Sequence, residues 1–590
     1  MAPRIFKGAE YLVAAATKDD VFVPEDFTEE QRQIASTAQQ FVEEEVWPQA
    51  ASLERHEAGV APALMRKAGE AGLLMIDAPE AYGGLELDKA TSMLAAERLA
   101  WAGDFSVSYS AHSGIGTLPL VYYGTDAQKE KYLTRIVSGE WCAAYCLTEP
   151  EAGSDAMGGK ATAVLSPDGT HYLLDGTKQF ITNGGFADLF TVFAKVDRKH
   201  FTAFLVERTF PGVTVGPEEK KLGIKGSSTT SVIFESARVP VENVLGEIGK
   251  GHKIAFNVLN VGRFKLGAAV LGAAKMSLQT GVSYALTRKQ FGVPIASFGA
   301  LQEKFADRTA DVFASEALVY RLAGLLDARL ATVPKGAPRY YEAYQQGIEE
   351  YAAECAIAKV FCSEVLADVV DDVVQVHGGY GFTQEYAAEK QYRDERINRI
   401  FEGTNEINRL LVANGILRRA AKGEIPLPRE PREEADALLA PEPGDPAAPF
   451  APERAAVAGM KRVLLLVAAA AVRRHGEALK NEQEVLIALA DVAIQAFAAE
   501  SALLRAERIS PALPEGKRAA VAAAVRIHAF GAAEKAATAA RRAALYVAEG
   551  DALALLLGAV RRLARLDAPG LLPAKRRLAA EALDAGRYPL

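Results

Sequence analysis

Cysteine is scarce. Cys142, Cys146, Cys355 and Cys362 are the only four in 590 residues. Their spacings match neither a zinc site nor a disulfide framework, so they read as buried or neutral thiols in a reducing cytoplasm. Long apolar runs are missing too. The longest strongly apolar stretch, 463–472, has ten residues and is flanked by Lys461, Arg462, Arg473 and Arg474. A spanning helix needs about 20, so this stretch does not span. Residues 1–20 show no apolar core followed by a small-residue cleavage site. Glu10, Asp19 and Asp20 argue against an organelle transit peptide. No short internal repeat is visible. Together these absences exclude a metal ribbon, a disulfide scaffold and a solenoid, and they lead us to expect a cytoplasmic protein.

What is present suggests a large soluble enzyme. At about 150 residues per domain, 590 residues make three or four domains. Hydrophobic residues at 49% supply a sizeable core, and charged residues at 24% are ordinary. The net charge of −8 hides an asymmetry. Residues 451–590 hold 21 Lys plus Arg against 14 Asp plus Glu, a net of +7, which leaves −15 for the rest. A basic tail meets anionic lipid or nucleic acid, docks on the acidic body of its own chain, or is merely solvated. We expect no nucleic acid partner and weak peripheral association with the inner membrane at most.

The texture along the chain is helices, a β region, helices, a linker and more helices. Residues 25–145 read as an N-terminal helical domain, opened by a capping box of Thr28 and Gln31, with further helices at 61–72 and 88–102. Residues 146–250 form a small middle β domain, a barrel or sandwich. Its strands are expected at 161–165, 171–174, 190–195, 201–207 and 230–234. Residues 251–421 read as a helical bundle with periodic stretches at 254–288, 301–329, 340–377 and 405–419. Residues 422–452 are a Pro-rich linker (Pro426, Pro428, Pro431, Pro441, Pro443, Pro446, Pro449 and Pro452), and 453–590 an additional helical domain. The fold class is therefore mainly α with one small β domain.

Two segments carry chemistry. The first is Tyr145-Cys146-Leu147-Thr148-Glu149-Pro150-Glu151-Ala152-Gly153-Ser154-Asp155, a strand running into a turn that exposes N–H groups and hydroxyls. On its own such a segment is usually only a turn. The second starts at Gln375-Val376-His377-Gly378-Gly379-Tyr380-Gly381-Phe382 and ends at Ile400-Phe401-Glu402-Gly403-Thr404-Asn405. Its glycines end a helix and permit close approach of a ligand. Glu402 stands between an apolar pair and a helix-breaking glycine, and Thr404 or Asn405 can cap the next helix. A carboxylate in such a place suits a general base. Equally, it suits an ordinary acid near a helix start.

In order and separation, these segments resemble the two hallmark segments of the acyl-CoA dehydrogenase family over residues 25–420. The continuation past the linker resembles the very-long-chain subclass. The resemblance implies an FAD flavoprotein of fatty acid β-oxidation that converts fatty acyl-CoA, of long chain, to trans-2-enoyl-CoA. It also implies a homodimer with an electron-transfer flavoprotein as acceptor. By the same resemblance Glu402 is the base for the α-proton. Tyr145, Leu147, Thr148, Gly153 and Ser154 lie at the flavin, with Ser154 also near the substrate. Phe180 and Thr182 flank the ring; many members have Trp where Phe180 stands. Arg288 pairs with the pyrophosphate across a subunit interface, and Phe291 and Gln302 line the same cofactor. Gln375 and Gly379 hold its adenosine half and Thr404 its phosphate region. Arg263 stands beside the substrate channel and Gly403 at the thioester. Val107 and Ala111 floor an acyl pocket whose small residues favour long chains, unless Tyr109 points inward. No metal is implied. Some members carry the base on an earlier helix, but the matching residue here, Gly262, is not acidic. An acyl-CoA oxidase shares the fold and base, so the sequence leaves that alternative open. A flavin monooxygenase would not need Glu402.

Overall fold

The computed structural model describes residues 4–337, 339–428 and 448–590, so Pro431, Pro441, Pro443 and Pro446 of the expected linker lie outside the described residues. The chain forms two compact units. One comprises Thr28–Ala273 and Leu330–Glu349; the other comprises Met1–Phe27, Ala274–Arg329 and Glu350–Leu590.

In the first unit, Thr28 caps the helix Glu29–Phe41. Its hydroxyl accepts from the Gln31 N–H at 3.2 Å, and the Gln31 side chain accepts from the Thr28 N–H at 3.0 Å. The Gln31 amide then reaches Asp88, which caps Lys89–Leu99 through the Thr91 N–H at 2.7 Å. Phe41, Met65, Leu74, Phe105 and Tyr109 close the core beneath these helices. The helical texture expected up to Tyr145 stops earlier, because Ala143–Cys146 is already a strand, β1. These four residues are wholly buried, and such a short apolar run carries no period that separates strand from helix.

Seven more strands follow: β2 Thr162–Leu165, β3 His171–Thr182, β4 Leu189–Val196, β5 His200–Glu207, β6 Val213–Val215, β7 Thr229–Pro240 and β8 Val244–Leu245. The strand order is β6-β7-β3-β2-β4-β5-β8. β1 and β2 share one edge of β4, both parallel to it, while β5 takes the other edge. Cys146, Ala163, Leu174, Phe190, Val192, Phe204, Val206 and Phe234 belong to one buried cluster, so a single sheet curls around one core. The β3–β7 register slips between Lys178 and Ile181. Phe180 lies in that irregularity with φ at 58°, a left-handed conformation that lifts its side chain out of the ladder.

The second unit is helical. The helix Gly251–Thr287 enters it, followed by Gly299–Leu330, Ala352–His377, Ala387–Glu395 and Asn405–Ala421. The stretch expected as one helix over 340–377 is two, Tyr340–Glu349, which belongs to the first unit, and Ala352–His377, with a break at Glu350 and Tyr351. The break is tertiary in origin. The Glu350 carboxylate accepts from the Gly8 N–H at 3.0 Å, and the Tyr351 hydroxyl donates to the Phe6 carbonyl at 2.6 Å. Among the described residues, five α-helices make the tail: Ala451–His475, Gln483–Ile509, Glu515–Val547, Gly550–Leu563 and Leu571–Ala585. The first begins at Ala451, so Pro452 sits in its opening turn, where no N–H is needed. Three described helices, Gly251–Thr287, Ala451–Asn481 and Gln483–Ala512, are long and apolar enough to cross a membrane, which the ten-residue run does not reveal; their apolar windows are mostly covered within the protein.

The tail docks on acids of this unit. The Arg505 guanidinium, 2% exposed, donates to Glu316 at 2.6 Å and to Glu25 at 2.8 Å. The Tyr588 hydroxyl donates to the same Glu316 at 2.9 Å, and Lys275 pairs with it as well. Burial opposes ionisation of Glu316, but Arg505 and Lys275 outweigh it and hold the carboxyl well below its usual range. Lys575 reaches Glu303 and Asp307, Arg508 reaches Asp26, and Arg321 with Lys461 encloses Glu500. Many of the tail's basic groups are thus spent inside the chain.

Two measurements check this packing. Replacing Arg505 by alanine takes one of its two cations from the buried Glu316, leaving Lys275 and the Tyr588 hydroxyl, and urea unfolding should show a loss of about 3 kcal/mol. An equal stability for Arg505→Ala and wild type contradicts the docking described. In the first unit, His112 is buried, accepts from the Ala143 N–H at 3.0 Å through Nδ1, and meets the Ile136 carbonyl at 3.1 Å through Nε2. Burial pulls its pKa from 6.5 to about 4. The folded state therefore binds fewer protons than the unfolded state between these values, and stability falls as pH drops from 6.5 toward 4. Thermal melts across that window should show a slope that His112→Gln flattens.

Candidate functional site

Each unit carries part of the expected site. In the first, β1 ends at Cys146 and the chain continues through Leu147 and Thr148. The Thr148 carbonyl accepts from the Gln179 N–H at 2.9 Å, so this segment lies against the Phe180 irregularity of β3. A buried ion pair fixes both. Lys178 Nζ donates to Glu149 at 2.7 Å and to the Leu147 carbonyl at 3.2 Å, and Glu149 also accepts from the Lys160 and Ala161 N–H groups. Burial works against the Glu149 carboxylate, but Lys178 and these N–H groups hold it below the usual carboxylate range.

The result is a surface with one large exposed ring. Phe180 is 59% exposed although it is apolar. Thr148 and Thr182 are half-buried beside it along the chain, and Gly153 and Ser154 are exposed. A Cβ on Gly153 would meet nothing within 4 Å. Tyr145 is buried, its ring edge-on to Phe193 at 5.2 Å and its hydroxyl 3.4 Å from the Ala255 carbonyl. An open apolar face next to a threonine hydroxyl fits a flat, hydrogen-bonding ring system.

On the same unit, Val107 is half-buried and Ala111 buried. Tyr109 is a core residue. Its ring packs with Phe41, Met65 and Phe105, and its hydroxyl donates to the Leu73 carbonyl at 2.7 Å. Arg263 is buried, with Nη1 donating to Asn260 at 2.8 Å.

In the second unit, Gln375 and Gly379 are exposed where Ala352–His377 ends, and Cβ atoms on Gly378 or Gly379 would meet nothing within 4 Å. The Arg288 guanidinium lies 5.3 Å over the Tyr380 ring. Open glycines near a guanidinium suit a phosphate-bearing ligand. Lys289–Gln290 and Val293–Pro294 form a hairpin whose two turn residues, Phe291 and Gly292, both have positive φ, so the turn holds Phe291 out at 92% exposure. Gln302 donates to the Ala296 carbonyl at 3.1 Å and so braces the segment after this hairpin.

Glu402 occupies the loop before Asn405–Ala421. It is half-buried with φ at 57°, and Gly403 follows at 81°. A left-handed glutamate costs about 1–2 kcal/mol of backbone strain. Side chains that the sequence reading missed hold it. Lys359, fully buried, donates to the Gly403 carbonyl at 2.9 Å and to Asn405 Oδ1 at 2.6 Å. Asn408, also fully buried, donates to the Glu402, Gly403 and Thr404 carbonyls at 3.2, 2.7 and 3.1 Å. Thr404 caps the helix through the Ile407 N–H at 3.3 Å, so its hydroxyl has a structural task beside the expected phosphate one. The only local signal for Lys359 is a lone cation in a stretch of Ala, Ile, Val and Phe.

Comparison with known proteins gives a consistent picture. Family models match in series: Acyl-CoA dehydrogenase, N-terminal domain, at 28–140; middle domain at 144–237; C-terminal domain at 249–417; and a second acyl-CoA dehydrogenase C-terminal domain at 459–562. A probable acyl-CoA dehydrogenase of Bacillus subtilis (strain 168) is 46% identical over 590 residues, covering 100% of this chain and 99% of its own length. The very long-chain specific acyl-CoA dehydrogenase of mouse mitochondria is 42% identical over 354 residues, 58% of this chain and 51% of that protein. The crystal structure of an acyl-CoA dehydrogenase complexed with FAD from Bacillus anthracis is 46% identical with a TM-score of 0.96, and covers 99% of this chain and 100% of that one.

Proposed function

The chain belongs to the acyl-CoA dehydrogenase family, and from that premise we propose that it binds FAD and oxidises long-chain fatty acyl-CoA to trans-2-enoyl-CoA with Glu402 as base. The observation that carries the reading is the Glu402 conformation: a half-buried carboxylate in a strained backbone that Lys359 and Asn408 hold in place. Strain of this kind persists where the surroundings over-determine it, and it clusters at reacting groups.

The residues divide the work. Glu402 removes the α-proton, and Gly403 leaves room for the thioester. Ser154 meets the pantetheine end, while Arg263, Val107 and Ala111 bound the acyl channel. Thr148, Leu147, Tyr145, Gly153, Phe180 and Thr182 hold the flavin ring, and Thr404, Arg288, Phe291, Gln302, Gln375 and Gly379 hold its pyrophosphate and adenosine parts. FAD, when bound, would supply the acceptor for the hydride that leaves the β-carbon. A thioester α-proton is weakly acidic, so donors that polarise the carbonyl and exclusion of water are both needed for a carboxylate to take it.

Three finer readings complete the proposal. Small residues at Ala111 and Val107, with Tyr109 held in the core, favour long chains. A second copy of the chain covers Phe291 and Phe382, which are 92% and 88% exposed, making a homodimer. An electron-transfer flavoprotein reoxidises the flavin in a cytoplasmic enzyme. With Arg505, Arg508, Lys461 and Lys575 paired internally, any attachment to the inner membrane is weak.

Anaerobic titration with acyl-CoAs of graded length, followed by flavin bleaching, tests the activity. Long chains should bleach fastest, and Glu402→Gln should keep its FAD yet bleach about 10²–10⁴-fold more slowly. Bleaching at the wild-type rate by Glu402→Gln contradicts the assignment.

A further inference from the structure

We propose that Asp491, on the tail helix Gln483–Ile509, is a positioning residue for the Glu402 loop, acting through Arg409, Glu364, Asn405 and Lys359. The inference rests on the reading of Glu402 as the base. The contacts form one unbroken chain. Arg409 Nε donates to Asp491 at 2.7 Å, and its Nη1 and Nη2 grip Glu364 in a two-pronged pair at 2.7 and 2.9 Å. Glu364 also accepts from Asn405 Nδ2 at 3.1 Å, and Ser363 Oγ accepts from the same amide at 3.1 Å. Asn405 Oδ1 then accepts from Lys359, whose ammonium holds the Gly403 carbonyl.

The direction of control follows from donor chemistry. An asparagine amide has an accepting end and a donating end, and its neighbours decide which way it points. Glu364 demands the NH₂ end of Asn405, so the oxygen faces Lys359. A flipped amide would present its NH₂ to the ammonium and drive Lys359 off the loop. Glu364 keeps its orientation because Arg409 grips both its oxygens. All three Arg409 nitrogens donate only while Asp491 occupies Nε. Arg542, also from the tail, occupies the other Asp491 oxygen at 3.2 Å.

The outer links are addressable from water. A cleft of about 570 Å³ is lined by Glu364, Arg409, Asp491 and Arg542 among others. The inner links are sealed, since Lys359, Asn405 and Asn408 are all buried. Salt therefore weakens the outer pairs first. In this reading the tail supplies a strut to the reacting loop, beyond its packing on the unit.

Asp491→Asn keeps the shape and removes the charge. Lys575→Met is the control, because it breaks another tail ion pair, with Glu303 and Asp307, that lies off the chain. The inference predicts that Asp491→Asn bleaches its bound flavin about tenfold more slowly at saturating substrate, with FAD content unchanged. Amide exchange over residues 401–408, measured without substrate, should also quicken, and Asp491→Glu should partly restore both. Lys575→Met should lower the melting temperature and change neither. In a Lys359→Met background, Asp491→Asn should add no further loss. The inference is overturned if Asp491→Asn leaves loop exchange and bleaching where Lys575→Met leaves them, or if the Asp491 and Lys359 losses simply multiply. Loop exchange does not depend on which residue is the base, so a failed base assignment would show separately, as normal bleaching by Glu402→Gln.

Discussion

Two consecutive left-handed residues, Glu402 and Gly403, need an outside force to keep them so. Glycine accepts that backbone freely, whereas glutamate does not. The force comes from a buried ammonium and a buried amide, Lys359 and Asn408, that between them bind the three carbonyls of residues 402–404. Placing a lysine in an apolar helix interior is expensive unless its donors are met. Here the Gly403 carbonyl and Asn405 meet them, so the same hydrogen bonds offset both the cost of burying Lys359 and the strain at Glu402. The carboxylate proposed as the base is positioned by the same interactions that stabilise the fold around it.

Elsewhere in that unit, charge is handled the same way. An acid on one helix is met by bases from two others: Glu316 by Arg505 and Lys275, Glu500 by Arg321 and Lys461, Asp491 by Arg409 and Arg542. The buried pairs among them, those of Glu316 and Glu500, add little net stability compared with an apolar core, but they penalise wrong docking heavily because any mismatch strands a charge. Bases of the tail and the acids Glu316, Glu303 and Asp307 are complementary parts of one packing solution within this unit. Residues 4–27 belong to it too, since Glu25, Asp26 and the Val21 carbonyl take Arg505 and Arg508.

Local patterns in the sequence revealed much of this. The capping box at Thr28, the glycine pause after His377 and the break before Asn405 are short-range signals, and each stands where it was read. The split at Glu350 and Tyr351 left no such mark. Neither glycine nor proline stands there, and the partners, Gly8 and Phe6, are more than 340 positions away. The Phe180 irregularity was hidden for a related reason: its cause is the pairing of β3 with β7, which no window on β3 alone contains. Lys359 looks ordinary in sequence because its role exists only once helix Ala352–His377 packs on Asn405–Ala421, and Asn408 because it turns back on the loop before its own helix, which no helical period announces.

In the proposed reaction the Glu402 carboxylate takes a proton from the carbon next to the thioester. This step can be separated from hydride transfer with a 3-thia-acyl-CoA, in which sulfur replaces the β-carbon and no β-hydride exists. Incubated in D₂O with the wild-type enzyme, such a compound should gain deuterium at its α-carbon, read by mass spectrometry. With Glu402→Gln carrying the same amount of FAD, it should not. Deuterium entering at equal rates with both proteins would mean that some other group is the base.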